Sequence, residues 1–479
     1  MRIQNSGEAL KVLLMETSGT SENYVALSHC WGDPKNATGK VPKTEKNDLD
    51  VYKSTGIPIS TLTKTFQEAI DITQKLGVEY IWIDSLCIVQ NDREDWRIES
   101  QKMGDIYGNA YLVIAATHAE NGAYGLHRER ISRRFEVVTP TGQTIKAQVF
   151  EKAHHDVWKK GEQFGYAAEL PLFSRAWAFQ ERLLARRVVH YTPTELVWEC
   201  STCIDCECGD LRNPNTAWPE FGIGKNMKTR YGEVVTDSNI ARLEFWHVIC
   251  AQYSARKLTY PTDRLPALSS VAKRIDMPDV LGRYLAGIWE CNLPKGLFWW
   301  SEFTNSALHP PAIKTHWRDK THQIPTWSWL SIEGRVSTWG MIEACLIVVR
   351  VVVISYTVSS NDDYGTCEEG IITLEGVGVP IEVVDAKRSG GPSDKEVRLI
   401  GEEHSVDFYT DENPFEYSEQ DSKTGELLAF LFGYTNMHSQ AMILKQVPGT
   451  NNRYERLGIA NPCPHGWFAG QTTREIELV

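Results

Sequence analysis

Short apolar runs alternate with amphipathic segments along the first part of the chain. Residues 24–28, 79–84 and 110–116 are apolar runs of strand length. Between them, the apolar positions of residues 66–76 and 92–107 recur at helical spacing. Strand, helix, strand, helix, strand with short links predicts a parallel sheet with helices packed on its faces.

The pattern continues with further elements downstream. It predicts a helix over 174–184, strands over 187–191 and 196–200, and helices over about 238–253, 262–275 and 281–290. The apolar run 345–354 predicts a buried strand, and most of the remaining C-terminal sequence predicts short strands and turns, with a Gly/Pro/Ser-rich loop at 389–394. We therefore expect an α/β N-terminal domain over 1–208, a helical and mixed extension over 209–335, and a strand-rich α+β region over 336–479.

Composition and charge exclude several classes of protein. The chain has 479 residues, of which 42% are hydrophobic, and a formal net charge of −12. A negative field without a basic stripe disfavours nucleic-acid binding. The run 345–354 is interrupted by Arg350 and is too short to span a bilayer, so no membrane span is expected. Because no signal peptide is recognisable, we expect a cytoplasmic protein whose 11 cysteines are reduced.

Unusual local sequences follow each of the three predicted strands. They occupy residues 28–32, 84–90 and 117–125. Ligands of parallel α/β sheets bind beyond the carboxyl ends of the strands. We therefore expect a site where these three segments meet.

Three motifs resemble those of the fungal HET (heterokaryon incompatibility) domain family. They lie at 24–32 (YVALSHCWG), at 80–107 and at 175–200, where RAWAFQERLL is followed by WEC. The resemblance implies a distantly TIR-like domain with a flavodoxin-like sheet, followed by a strand-rich C-terminal half. It also implies a role in non-self recognition and cell death. TIR relatives include enzymes that cleave NAD between nicotinamide and ribose, and other HET-type proteins lie beside natural-product genes.

Glu99 is the first candidate catalytic residue. It shares a helical face with Trp96, Met103 and Tyr107. A carboxylate on an apolar stripe must find a partner or lose its charge. It either faces a cleft, where it can stabilise an oxocarbenium-like carbon, or forms a structural ion pair with an arginine such as Arg182. Both interpretations remain open.

Asp84 is the second candidate catalytic residue, because it ends a predicted buried strand. An acid at that position is a common site residue of a parallel sheet, and it also commonly caps a turn. Cys87 and Gln90 follow at once and are candidate ligand-binding residues. Since no histidine is near Cys87 in sequence, an inert thiol is favoured over a nucleophile.

The first strand-to-loop edge contributes four more candidate ligand-binding residues. Trp31 can stack on a ring, His29 can donate to a phosphate or hydroxyl, and Gly32 permits close approach of the backbone, with Ser28 beside them. Taken alone, His29 fits a hydrogen-bonded loop histidine. The known glycine-rich nucleotide cradles are missing from the sequence.

The predicted helix at 174–184 contributes the remaining candidates. Glu181, the third candidate catalytic residue, shares a partly apolar face with Trp177. Gln180 and Arg182 flank it and are candidate ligand-binding residues. Arg175 and Arg182 can hold an anion or pair with Glu99, and structural pairing is favoured.

No metal is predicted. Cys200, Cys203, Cys206 and Cys208 form a C-x2-C-x2-C-x-C cluster. Zinc is a minority hypothesis there, because ligands of a structural site are usually farther apart in sequence. The adjacent His154 and His155 predict an exposed loop.

Three functional hypotheses follow. The first is a TIR-like effector that hydrolyses NAD(P) or binds a related nucleotide, with no firm cofactor and NAD(P) as its substrate. The second is an adaptor that signals by self-association without catalysis. The third is an enzyme of a fungal secondary-metabolite pathway, such as a cyclase with an aromatic-lined pocket for a small molecule. Family membership alone does not decide between them.

Overall fold

A computed structural model describes most of the chain as two compact units, Met1–Thr236 and Asp237–Val479. The described residues are 1–5, 10–17, 21–33, 35, 40–150, 155, 157–158, 170–212, 227–235, 239–301, 324–338, 345–358, 362–386, 395–411 and 426–479. The predicted loop at 389–394 lies outside them. The proposed further boundary at residue 335 remains a prediction.

The N-terminal unit contains strands and helices in alternation. Its strands are β1 (Arg2–Asn5), β2 (Leu10–Leu13), β3 (Tyr24–Ser28), β4 (Ile57–Pro58), β5 (Tyr80–Ile83), β6 (Leu112–Ala115), β7 (Ser132–Val138), β8 (Thr144–Phe150), β9 (Arg187–Tyr191), β10 (Leu196–Cys200) and β11 (Ile204–Cys206). Its helices are α1 (Leu49–Ser54), α2 (Lys64–Lys75), α3 (Asp84–Cys87), α4 (Arg93–Asn109), α5 (Ala176–Leu184) and α6 (Met227–Val234).

A mixed sheet forms the centre of this unit. Among the described residues it has nine strands in the order β11-β10-β9-β6-β3-β5-β1-β2-β4. The central strands β9, β6, β3 and β5 are parallel, whereas the strands on both flanks pair antiparallel. The predicted parallel sheet is therefore confirmed for the central strands, and the sheet as a whole is mixed.

Helices cover both faces of the sheet. Along β3, Val25 and Leu27 point to the face that packs against Phe66 of α2. The intervening Ala26 points to the opposite face, where it packs with Tyr107 of α4 and with α5. The two-residue periodicity of a strand thus divides the core into two layers, and α4 and α5 lie on the same side of the sheet.

The C-terminal unit begins with helices and continues as strands. The helices are α7 (Asn239–Ser254), α8 (Pro266–Ile275) and α9 (Pro278–Leu281). The strands are β12 (Tyr284–Leu285), β13 (Ile288–Trp289), β14 (Trp300–Ser301), β15 (Val336–Ser337), β16 (Leu346–Ile347), β17 (Arg350–Val358), β18 (Cys367–Asp385), β19 (Lys395–Leu399), β20 (Ser405–Thr410), β21 (Leu427–Tyr434), β22 (Ser439–Gln446), β23 (Arg453–Cys463) and β24 (Thr473–Leu478). The long strand β18 pairs with β17, β19, β21 and β24. The strand-rich prediction for this region is confirmed.

Two sequence predictions for the C-terminal unit are wrong. Residues 281–290 form the β12–β13 pair rather than a helix, because Gly282 and Gly287 adopt φ of 68° and 96°, which a right-handed helix does not allow. Residues 345–354 are strands, as predicted, but they are not buried throughout, since Val353 is 55% exposed. None of the described helices combines the length and the apolarity that crossing a bilayer requires.

Replacement of Phe66 tests the layer beneath α2. Its side chain is fully buried, so Phe66→Ala should lower the free energy of unfolding by about 3–5 kcal/mol. Urea denaturation of the full chain measures this change. The matched control is Leu76→Ala at the end of the same helix, where the side chain is 47% exposed and the expected change is within about 0.5 kcal/mol. Equal losses in both variants would contradict the assigned packing.

Candidate functional site

The polar segments that follow the central strands meet at one edge of the sheet. Strand β3 pairs in parallel with both β5 and β6, so the segments that begin at Ser28, Asp84 and Ala116 leave the sheet side by side. Helix α5 packs against the same end of β3 through the hydroxyl of Ser28, which donates to Glu181. The sequence prediction that these strand ends lie together is confirmed.

Glu181 is the most deeply buried acid of this edge. Its residue is 1% exposed, and its carboxylate accepts a hydrogen bond from Ser28 and lies against the hydroxyl of Tyr107. Burial raises the pKa of Glu181 to about 7; Arg175 opposes this shift, and the charge of Asp84 adds to it. A carboxyl group with such a pKa can bind and release a proton at neutral pH.

Arg175 and Tyr107 complete the surroundings of Glu181. The guanidinium of Arg175 donates to the backbone carbonyl of His29. The hydroxyl of Tyr107 donates to the carbonyl of Leu27 at 3.1 Å. The sequence analysis did not select either residue as a site residue, although Tyr107 shares a helical face with Glu99 and Arg175 begins the third motif. Their role here depends on contacts between segments, which a single-helix pattern does not contain.

His29 and Asp84 form the second half of the cluster. His29 is 2% exposed, and neither ring nitrogen makes a hydrogen bond within the described part of the chain. Its Nε2 lies 3.7 Å from Oδ1 of Asp84, and burial lowers the pKa of His29 to about 4, so the ring is neutral at pH 7. Asp84 accepts hydrogen bonds from Trp31 Nε1 at 2.9 Å and from the backbone N–H of Ser85 at 2.6 Å.

Further buried polar groups near these strand ends lack partners. The side-chain amide of Gln180, next to Glu181, and the hydroxyl of Ser85, next to Asp84, are fully buried and make no hydrogen bond to described residues. Buried polar groups are paired in the great majority of cases, and exceptions call for a ligand, water or ion. Together with His29, they make this edge the candidate site.

Partly exposed side chains surround the buried acids. The Lys43 ammonium lies 4.6 Å from the ring centroid of Trp31. The rings of Trp177 and Trp96 pack edge to face, with their centroids 6.3 Å apart. Gln90 donates to the backbone carbonyl of Ile88 at 3.0 Å. These contacts use one face or edge of each ring.

Cys87 has a free thiol, whereas Gly32 has a conformational reason to be glycine. The thiol of Cys87 is free and partly exposed at the end of α3. Gly32 has φ of 81°, and a Cβ there would lie 2.9 Å from Cβ of Asn121. The backbone conformation and the close approach of Asn121 therefore explain the glycine without a ligand.

Glu99 makes a local ion pair on α4. Its carboxylate forms an ion pair with Lys102 at 2.8 Å, and its side chain is 23% exposed. The partner is thus a lysine one turn away on α4, not the arginine that the sequence analysis considered. Glu181 and Asp84 belong to the buried cluster at the strand ends, whereas Glu99 is paired within its own helix, and its catalytic role stays a prediction.

Arg182 belongs to a different and fully satisfied network. Its guanidinium donates to both carboxylate oxygens of Glu199, at 2.8 and 3.0 Å, and His190 Nε2 lies 3.2 Å from the same carboxylate. The rings of Trp158 and Phe173 lie 5.0 and 4.5 Å from the guanidinium carbon. The structural role that was favoured for Arg182 fits these contacts, because both carboxylate oxygens of Glu199 are bound.

The prediction that His155 lies in an exposed loop is wrong. Its side chain is 4% exposed, and its Nε2 lies 2.5 Å from Oε1 of Glu195. The neighbouring His154 lies outside the described residues. His155 is therefore held in place by residues of the β10–β11 region, which the spacing of the two histidines did not indicate.

The fold and the site define an α/β domain with a buried acid cluster at the carboxyl edge of its central parallel strands. A family model described as "Heterokaryon incompatibility protein (HET)" matches residues 24–181, which include β3, β5, α4 and Glu181. The resemblance of residues 24–181 to the heterokaryon incompatibility domain, which the motifs predicted, is therefore confirmed.

A curated relative supports the same family. "Heterokaryon incompatibility protein 6, OR allele" of Neurospora crassa is 30% identical to this chain over 97 residues. The match covers 19% of this chain and 14% of that protein. No solved structure matches the chain.

The stability of the protein should depend on pH through Glu181. Because its folded-state pKa is raised to about 7 from 4.5, the folded protein binds the proton more tightly than the unfolded chain does. This contribution is fully present below pH 4.5 and is lost as pH rises through 7. Between pH 5 and 8 the wild type should lose on the order of 3 kcal/mol relative to Glu181→Gln, which cannot ionise.

Urea denaturation of both proteins across this pH range measures the effect. The difference between the two profiles isolates Glu181 from every other titrating group. Parallel profiles would show that the carboxyl group titrates as an ordinary glutamate.

Proposed function

We propose that this protein acts in heterokaryon incompatibility and that its HET domain hydrolyses NAD(P) at the bond between nicotinamide and ribose. The observation that carries the proposal is a set of buried polar groups, on His29, Ser85 and Gln180, that make no hydrogen bond to described residues and lie beside two acids. Such groups fit a pocket that a polar ligand completes. The family match and the name of the Neurospora relative support the biological role.

The order of the central strands supports the TIR-like and flavodoxin-like part of the proposal. Counted along the chain, the parallel strands β3, β5, β6 and β9 are the first to the fourth, and their order in the sheet is 2-1-3-4. This is the beginning of the flavodoxin-like order, whose ligands bind where the first and third strands diverge. In this chain that point lies between the ends of β3 and β6, beside Ser28 and His29.

Each acid has a distinct place in the proposed reaction. Asp84 is nearer the surface than Glu181 and faces the ribose, where its carboxylate stabilises positive charge at C1′ as the bond to nicotinamide breaks. Nicotinamide leaves with the bonding electron pair. A water molecule then forms the new C–O bond at C1′ and loses its proton to Glu181, whose pKa of about 7 suits a proton acceptor.

The partly exposed tryptophans supply binding area next to these acids. Trp31 is held by its hydrogen bond to Asp84, so a ring stacked on it lies close to that carboxylate. Trp177 precedes Glu181 by about one helical turn on α5. Stacking of the nicotinamide or adenine ring on an aromatic face would orient the scissile bond toward the acids.

Release of nicotinamide from NAD and from NADP by the purified full chain tests the proposal. We expect turnover that rises as pH passes through about 7, because Glu181 must be ionised to accept a proton. Glu181→Gln should lower turnover by roughly 10²–10⁴-fold and remove that pH dependence. Asp84→Asn should remove turnover at every pH.

Two further variants decide which carboxylate acts. Glu99→Gln should retain turnover. If Glu99→Gln lost turnover while Glu181→Gln kept it, the reaction would be assigned to Glu99 instead. Glu94→Gln, an exposed position of the same helix, is the control for removal of a charge. Absence of nicotinamide release in both monomeric and self-associated protein would reject hydrolysis.

The enclosure of Glu181 favours a second candidate function. A carboxylate that is 1% exposed and bound by Ser28 can hold α5 against the sheet without taking part in any reaction. The domain would then signal by self-association without catalysis. A Glu181→Gln variant that folds normally, lacks nicotinamide release and still causes incompatibility in a fungal cell would support this adaptor and contradict the enzyme.

A further inference from the structure

Four side chains with metal-binding chemistry converge away from the candidate site. They are His155, Glu195 just before β10, Cys206 at the end of β11 and Cys208 two residues later. One ligand atom of each lies within 4.8 Å of all the others. Within the part of the chain that the structure describes, no other group of His, Cys and acidic side chains brings its ligand atoms this close together.

Three of the separations between these atoms match the edges of a zinc tetrahedron. Zn–S and Zn–N or Zn–O bonds of ordinary length place tetrahedral ligand atoms roughly 3.3–3.8 Å apart. Here Cys206 Sγ lies 3.4 Å from Cys208 Sγ, and Cys208 Sγ lies 3.7 Å from His155 Nε2 and 3.6 Å from Glu195 Oε1. The shorter 2.5 Å contact between His155 Nε2 and Glu195 Oε1 is a direct hydrogen bond, which would open to admit an ion.

Groups outside the four ligands are arranged as they are around structural zinc. Nδ1 of His155 lies 3.0 Å from Oδ2 of Asp210, at an angle that does not make a hydrogen bond, so a carboxylate stands behind the ring. The backbone N–H of Leu211 donates to Cys206 Sγ at 3.4 Å. The backbone N–H of Cys208 donates to the second oxygen of Glu195 at 2.9 Å.

We infer that His155, Glu195, Cys206 and Cys208 bind a structural zinc ion. Two sulfurs, one imidazole nitrogen and one carboxylate oxygen suit Zn²⁺ better than the harder divalent cations, which prefer oxygen ligands. Four protein ligands fill a tetrahedral ion and leave no open position for a substrate. This inference does not depend on the proposed NAD(P) chemistry.

The ion would link His155 to the β10–β11 region of the N-terminal unit, two parts that are far apart in sequence. His155 lies between β8 and α5, and its carbonyl accepts from the N–H of Trp158, which packs with Phe173, Val197 and Cys206 in a small apolar cluster. Trp158 in turn lies over the guanidinium of Arg182. Zinc would therefore hold in place the ring that covers the Arg182–Glu199 pair.

The two remaining cysteines of the C-x2-C-x2-C-x-C segment form a separate pair. Cys200 and Cys203 face each other with sulfurs 3.6 Å apart at the turn of the β10–β11 hairpin. Cys206 pairs across the hairpin with Val197, three residues from Cys200, which separates the two positions by about 10 Å along the strand. Cys200 and Cys203 therefore serve as matched controls that stand outside the proposed site.

Metal analysis of the full chain tests the inference. Protein purified with zinc in the medium and without chelators should contain zinc at a ratio near one per chain by inductively coupled plasma mass spectrometry. Cys208→Ser and His155→Ala should lose it, whereas Cys200→Ser and Cys203→Ser should keep it. Loss of zinc in the two control variants and retention in the two ligand variants would overturn the ligand set.

Cobalt binding tests the site in the wild-type protein, so the result does not depend on whether the variants fold. Apo-protein titrated with Co²⁺ should develop tetrahedral d–d absorption and the charge-transfer band of thiolate ligands, and Cys200→Ser should develop both at equal intensity. Zinc added afterwards should displace Co²⁺ and abolish both absorption bands. A wild type that binds neither metal, and whose unfolding temperature is unchanged by a chelator, would overturn the inference.

Discussion

The burial of one carboxylate, that of Glu181, constrains the architecture of the N-terminal unit. An acid removed from water needs polar partners, and these come from separate segments: the donor hydroxyl of Ser28 at the end of β3, the adjacent hydroxyl of Tyr107 on α4 and the charge of Arg175 just before α5. Helices α4 and α5 must therefore lie on the same face of the sheet as the end of β3. The same requirement brings Asp84 and His29 next to Glu181, because β5 and β3 are adjacent parallel strands.

Two of the buried acids of this unit, Glu181 and Glu199, differ in how completely their hydrogen bonds are satisfied. Glu199 is bound by both nitrogens of an arginine fork and by His190, and these strong contacts hold its pKa well below the usual range despite burial. The pKa of Glu181 is raised instead, and side-chain atoms of His29 and Gln180 near it make no hydrogen bond to described residues. A satisfied network stabilises a fold by itself, whereas an incomplete one is explained by something that binds to it. This contrast is the physical reason for proposing a functional role for Glu181 and a structural one for Arg182.

Much of the fold follows from local patterns, and its failures have identifiable causes. Strands β3, β9 and β10 begin and end where the periodicity predicted, and α2 ends before Gly77, whose φ of 72° is a left-handed helix stop. The expected helix at 281–290 failed because the apolar spacing also fits a short hairpin. Only the left-handed conformations at Gly282 and Gly287 decide between the two, and these depend on the tertiary contacts of β12 and β13.

The sequence by itself determined the family motifs, the central strands and the edge at which the polar segments meet, because the ends of adjacent parallel strands converge wherever such a sheet forms. Only the tertiary structure decided which acid has which partner. A helical pattern places Glu99 on a face but contains no information about Lys102 as against an arginine across the core. It likewise cannot bring His155 to Cys206 and Cys208, or separate these cysteines from Cys200. Such contacts depend on how distant segments fold together, and spacing along the chain does not encode them.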